Sequence, residues 1–170
     1  MTFEVRDWLD MKNDIQKSIE IYKEQLSYGY IQNAYITLTR YIAELKGIFS
    51  EKYKVSNMGL GYLDYTYFYF LNDDIKKQNL KFALVLNHKK MQFELWLCAR
   101  NIAVQKAYWN LLKDSKWNQN IDEMPKYSVL EVVLENQINF NDKETMTKHI
   151  VNRSLLLSQE IQEYLKNVNC

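Results

Sequence analysis

Five residues near the middle of the chain have side chains able to do chemistry: Asp64, Thr66, Glu94, Trp96 and Arg100. Alternation along an extended strand puts Asp64 and Thr66 on one side of one strand, and Glu94 and Trp96 on one side of another. If the register brings those sides together, two carboxylates and an indole line one concavity with Arg100 near its end. Such a face could bind a ligand, and Asp64 with Glu94 could serve acid-base work or hold a divalent cation. The competing reading is a polar network under a helical cover, with Glu94 tied to Arg100 or to a tyrosine hydroxyl. A metal-dependent nuclease built on an acid followed by Glu-x-Lys is disfavoured, because Trp96 stands where the lysine would activate water. No residue is assigned as catalytic, and no metal centre or cofactor is expected.

Other reactive side chains point to structure first. His88 sits at a turn between Asn87 and Lys89-Lys90, where a solvated residue is the simplest expectation; with Lys76, Lys77 and Lys81 it could form a small anion-binding or nucleic-acid patch. Positive charge at a hairpin tip also guards against edge pairing. His149 has no ligand-spaced partner in its helix and reads as structural, while Cys98 reads as a small buried hydrophobe without a positioned base. The tyrosines from Tyr62 to Tyr69, with Tyr108, Trp109 and Trp117, suit a core or its rim better than a base-stacking platform. Phosphate-binding loops, dinucleotide fingerprints, nucleophile elbows and His-Glu-x-x-His patterns do not occur.

The elements that must position these residues follow from periodicity. Trp8, Met11, Ile15, Ile19, Tyr22 and Leu26 recur at helical spacing and predict a helix over Asp7 to Ser27 with one buried stripe, ended by Gly29. A second helix from Ile31 to about Tyr53, with Ile31, Tyr35, Leu38, Ile42, Leu45 and Phe49 inward, completes an antiparallel pair. A tetratricopeptide unit is rejected because no second copy follows. Tyr62 to Leu71 is β-branched and aromatic between Gly61 and Asn72-Asp73-Asp74, and reads as a strand. Phe82 to Leu86 and Met91 to Leu97 read as a hairpin. A two-residue loop of His88 and Lys89 would oppose Leu86 to Met91, Leu84 to Phe93 and Phe82 to Leu95, leaving Ala83, Val85, Gln92, Glu94 and Trp96 on a mixed face.

Asn101 suits the N-cap of a helix to about Asp114 with Val104, Tyr108, Leu111 and Leu112 inward. Tyr127 to Glu135 reads as a fourth strand. Asn141 and Glu144 have capping-box spacing for a last helix, ending near Lys166, with Met146, Ile150, Leu157, Ile161 and Tyr164 inward. The order ααβββαβα, with hairpin-linked strands, predicts an α+β fold with an antiparallel sheet of about four strands.

Bulk properties narrow the function classes. A chain of 170 residues, 47% hydrophobic and 25% charged, suits one α+β domain over residues 1–170. Its 22 basic and 21 acidic residues leave a net charge of +1, too little to signal non-specific nucleic-acid binding. The longest apolar runs fall far short of the roughly 20 residues that span a bilayer, and the charged N-terminus is unlike a secretory signal. Two cysteines, Cys98 and Cys170, cannot build a disulfide framework, so the cytoplasm is the expected compartment and no membrane partner is expected.

Three segments together resemble a family of small bacterial cytosolic proteins catalogued as a domain of unknown function. They are Y-x-D-x-T-Y-F-x-F over Tyr62 to Phe70, N-H-x-K-x-x-F-E-x-W-L over Asn87 to Leu97, and N-x-x-x-Q-x-x-Y-W over Asn101 to Trp109. The segment IYKEQLSYGYIQNAYITL is similar as well, so the likeness spans most of the chain. It implies a bacterial cytosolic protein and carries no catalytic residue. The expected function is a non-enzymatic module that binds a small molecule or protein partner through the mixed aromatic and acidic face. The alternatives are a hydrolase-like enzyme using Asp64 and Glu94, and a nucleic-acid-associated accessory protein using the basic hairpin tip; a homodimer is a further option.

Overall fold

The computed structural model describes residues 14–168. Helix α1 spans Ile15–Ser27 and α2 spans Tyr30–Ser50, separated by Gly29 at φ 73°. Asp14 caps α1 by accepting from the Lys17 N–H at 3.0 Å. The chain divides into two compact units between Tyr41 and Ile42, within α2. In the first unit the expected buried stripe of α1 is corrected: Ile15, Ile19 and Tyr22 are exposed, and α1 buries no side chain. Periodicity fixes which residues share a helix face, but burial also needs a partner surface. Trp8, Met11 and the expected helix start at Asp7 lie outside the described residues.

The second unit carries an α+β arrangement. After α2 come β1 (Lys54–Val55), β2 (Tyr65–Leu71), α3 (Asp73–Lys77), β3 (Leu80–Asn87), β4 (Gln92–Ala99), α4 (Ile102–Leu112), β5 (Leu130–Glu135) and, past a 3-10 turn at Phe140–Asp142, α5 (Lys143–Val168). The strands form one antiparallel meander in the order β1-β2-β3-β4-β5. Five strands replace the expected four, since β1 has two residues and shows no periodicity. Asn72-Asp73-Asp74, expected to break the chain, instead starts α3. Asn72 accepts from the Ile75 N–H at 3.0 Å, and Asp73 with Asp74 at one end and Lys76 with Lys77 at the other complement the helix dipole.

The β3–β4 pairing differs from the expected register by two residues. Leu86 opposes Phe93, Leu84 opposes Leu95 and Phe82 opposes Leu97. The turn is longer because the Asn87 carbonyl oxygen of the side chain accepts from the Lys90 N–H at 3.1 Å and Met91 takes a left-handed φ of 50°. A shift of two keeps parity, so every side chain stays on its expected face. Phe68 and Phe70 of β2 join these residues on the core face, all buried. The Phe49 ring lies 5.6 Å from Phe68 and 4.7 Å from Phe70.

Helix α5 is tied to this unit at both ends. Asn72 donates to Gln162 at 2.8 Å, and Lys143 pairs with Glu44 of α2. Its buried stripe is Met146, Ile150, Ser154, Ser158, Ile161 and Leu165, not the expected Leu157 and Tyr164, which are half-buried. Sequence hydropathy overlooks the two serines, whose hydroxyls bond back to the carbonyls of Ile150 and Leu155 and so need no outside partner. The expected Asn141 cap is also displaced. Asn139 accepts from the Asn141 N–H, while Asp142 accepts from the Thr145 N–H at 3.4 Å. Asn101 caps α4 as expected, through the Val104 N–H. Gln105 is buried there, whereas Leu111 is exposed; the Gln105 amide donates to the carbonyls of Pro125 and Ser128 and anchors the long connection to β5.

Candidate ligand-binding site

The side chains that alternate with the core residues form the other face of the sheet. Tyr65, Tyr67 and Tyr69 of β2 stand over Ala83, Val85, Trp96 and Cys98, which are buried beneath them. With Gly61, Tyr62, Asp64 and Tyr127 they line a cavity of about 310 Å³, and none of the lining residues belongs to a helix. That volume lies at the lower end of small-molecule sites, roughly 300–1,000 Å³. The Tyr65 ring stands 5.0 Å from Trp96 at 68° and 6.5 Å from Tyr127 at 76°, so it meets both nearly at right angles. Tyr67 and Tyr69 form a second edge-to-face pair at 5.2 Å.

Two glycines shape this wall. Gly61, at φ 59°, has no room for a Cβ between the Asp64 carboxylate and the Tyr65 carbonyl, so the turn into β2 requires it. Gly59 bridges Tyr67 backbone to backbone and lies flat against the Tyr67 ring, where a Cβ would push the phenol aside. Together they set the position of Asp64 and the tilt of Tyr67.

The residues expected to do chemistry are only partly brought together. Asp64 precedes β2 in a turn, where its Oδ1 accepts from the N–H groups of Tyr62 and Tyr65 at 2.8 and 2.7 Å. Those bonds hold its carboxyl below the usual range against the opposing effect of burial. Glu94 is buried, and three donors converge on it: Trp96 Nε1 at 2.6 Å, Asn87 Nδ2 at 3.1 Å and Gln92 Nε2. The expected partners, Arg100 or a tyrosine hydroxyl, are not the ones found for Glu94. Trp96 lines the cavity as expected. Thr66 does not, because β2 alternation places it on the opposite, core face; its hydroxyl is fully buried 2.8 Å from His88 Nε2. Arg100 is exposed beyond the end of β4 and outside the cavity lining.

His88 is less solvated than its turn position suggests. Its N–H donates to the Asp64 carbonyl at 2.9 Å, its ring meets Thr66, and burial pulls its pKa down while Asp64 works against that. Lys76, Lys77 and Lys81 lie at the opposite end of β3 from Lys89 and Lys90, some seven residues or roughly 20 Å away, so the basic residues do not gather. His149 has a partner that helix spacing could not reveal: its Nδ1 lies 2.8 Å from Glu135 Oε2 and links α5 to β5. Among the described residues no group of histidine, cysteine, aspartate and glutamate is placed to hold a metal ion.

Sequence reasoning missed Tyr127 and Glu131. Tyr127 lies before β5, and β5 pairs Glu131 with Trp96, so both reach this face only through the β4–β5 register. The available signal was alternation in Leu130–Glu135, which puts Glu131 on one side of the strand. Burial raises the Glu131 carboxyl, opposed by the hydrogen bond from Ser128 at 2.7 Å and reinforced by Glu94. Burial raises the Tyr65 phenol too, and Glu131, Glu94 and Asp64 all push it the same way. The Cys98 thiol, on the cavity floor, is pushed up to about 12 by burial, so it is held as an unreactive thiol.

The Glu131 shift carries a pH dependence. A carboxyl that binds its proton more tightly when folded stabilises the fold below its unfolded value, and that contribution is lost as pH rises through the raised folded value. Glu131→Gln is therefore expected to be more stable than the parent at pH 7, with the advantage shrinking as pH falls towards about 4. Urea midpoints measured at both pH values check this; a constant difference would count against it.

An antiparallel meander with helices against one face and an aromatic cavity on the other defines an α+β protein with a preformed pocket. A family model described as Domain of unknown function (DUF7000) matches residues 15–165, and the chain belongs to that family. No curated protein and no solved structure matches it. No helix among the described residues is long and apolar enough to cross a membrane.

Proposed function

We propose that this protein is a non-enzymatic binding module that takes a small molecule in the tyrosine-lined cavity of its sheet. The supporting observation is the cavity itself: about 310 Å³, walled by Tyr65, Tyr67, Tyr69, Trp96 and Tyr127, with no helical residue in its lining among the described residues. Aromatic walls with a few fixed polar groups are the usual make-up of a ligand site. The binding reading is preferred to a hydrolase using Asp64 and Glu94 because both carboxylates are already engaged. Asp64 holds a turn and Glu94 holds Trp96, Asn87 and Gln92. The family likeness of the sequence motifs favours a bacterial, cytoplasmic setting.

The test is a screen of neutral and charged aromatic compounds by thermal shift, followed by calorimetry. A ligand that binds only the folded state raises its apparent stability by about 2.7 kcal/mol at one hundred times its dissociation constant. Hits are expected to lose affinity in Tyr65→Ala and Tyr67→Ala. Hits that bind both variants as well as the parent would move the site elsewhere.

A further inference from the structure

We propose that the cavity is selective for a substituted ammonium cation, seated in the corner made by Tyr65, Trp96 and Tyr127; this rests on the ligand-binding reading above. Tyr65 packs edge to face on Trp96, at 5.0 Å and 68°, and stands 6.5 Å from Tyr127 at 76°, and all three rings line the cavity. The face of an aromatic ring is its electron-rich side, and rings arranged as walls recognise alkylated ammonium groups. Trp96 is the strongest of these by type. Its indole N–H donates to the Glu94 carboxylate at 2.6 Å, a bond that feeds electron density into the ring.

Charge around the corner has the matching sign. Asp64 is the charged member of the cavity lining, and Glu94 and Glu131 stand beside Trp96 on the same face of the sheet. Lys90 acts on Glu131 from outside, and Lys126 sits 5.0 Å from the Tyr127 centroid at the rim. The far end of the wall supplies a precedent within the chain, since the Lys81 ammonium lies 3.4 Å over the Tyr69 ring. Tyr69 thus already holds a cation at one end of the wall, and Lys126 approaches Tyr127 at the other.

Calorimetric titration of the full chain with choline and with its neutral carbon isostere, 3,3-dimethylbutan-1-ol, tests the charge directly. Choline is expected to bind at least about tenfold more tightly, the factor that corresponds to a cation over partly desolvated rings. Asp64→Asn keeps the acceptor needed by the turn and is expected to cut that ratio severalfold. Lys126→Ala, which removes a competing cation, is expected to raise choline affinity roughly twofold. Equal or tighter binding of the isostere would overturn the cation selectivity and leave an apolar pocket standing. Failure of both compounds would overturn it as well, and if 1-naphthol also fails to bind, the ligand-binding reading falls with it.

Discussion

Phe70→Ala is expected to lower stability by about 3–5 kcal/mol, enough to take about 10 °C from the melting temperature of a chain this size. Phe70 is fully buried, and its ring centroid lies 4.7 Å from Phe49, 5.2 Å from Tyr53 and 5.5 Å from Phe82. These partners come from α2, the turn after it, and β3, so no single neighbour can collapse into the hole. The loss is a large share of the roughly 5–15 kcal/mol that holds a domain together. Tyr69→Ala, one residue earlier, provides the contrast. Its ring is half-buried over the cavity, so it is expected to cost less than about half as much while weakening ligand binding. Urea denaturation of the two variants separates the faces; similar losses in both would show that the second face is also core.

Glu94→Ala is expected to cost about 3 kcal/mol, because it strands donors rather than merely removing a bond. The Trp96 indole N–H and the Asn87 and Gln92 amides would be left facing a void, two of them on buried residues. Glu94→Gln keeps one acceptor oxygen but presents an N–H₂ to at least one donor, so roughly half the loss is expected. Glu94→Ala releases the Trp96 ring from its anchor, Glu94→Gln leaves one acceptor for its three donors, and Glu94→Ala is expected to weaken any cavity ligand more. Denaturation midpoints and near-ultraviolet circular dichroism report the two effects separately. A change below about 0.5 kcal/mol in Glu94→Ala would mean the network contributes nothing to the fold.

Much of this was legible in the sequence where the signal is local. The breaks at Gly29 and Asn101, the hairpin, the two faces of β3 and β4 and the α+β class all follow from spacing and capping chemistry. What escaped depends on partners far along the chain. Thr66 was placed with Asp64 by alternation, yet β2 begins only at Tyr65, so the turn at Asp64 does not obey strand parity. Glu131 and Tyr127 needed the β4–β5 register, and the exposed stripe of α1 needed knowledge of its surroundings. Asn72 had the features of a cap, followed by two acidic residues and then two basic ones, but a run of polar residues reads equally well as a loop.

The meander has a consequence for how such a protein can change. In β2 the codons for Thr66, Phe68 and Phe70 answer to the fold, while those for Tyr65, Tyr67 and Tyr69 between them answer to the cavity. If the cavity takes a ligand as proposed, neighbouring positions in the gene are under separate constraints, and its preference can change at alternate codons without disturbing the core. The same parity governs slippage: moving β3 against β4 by two residues preserves both faces, while moving it by one exchanges them.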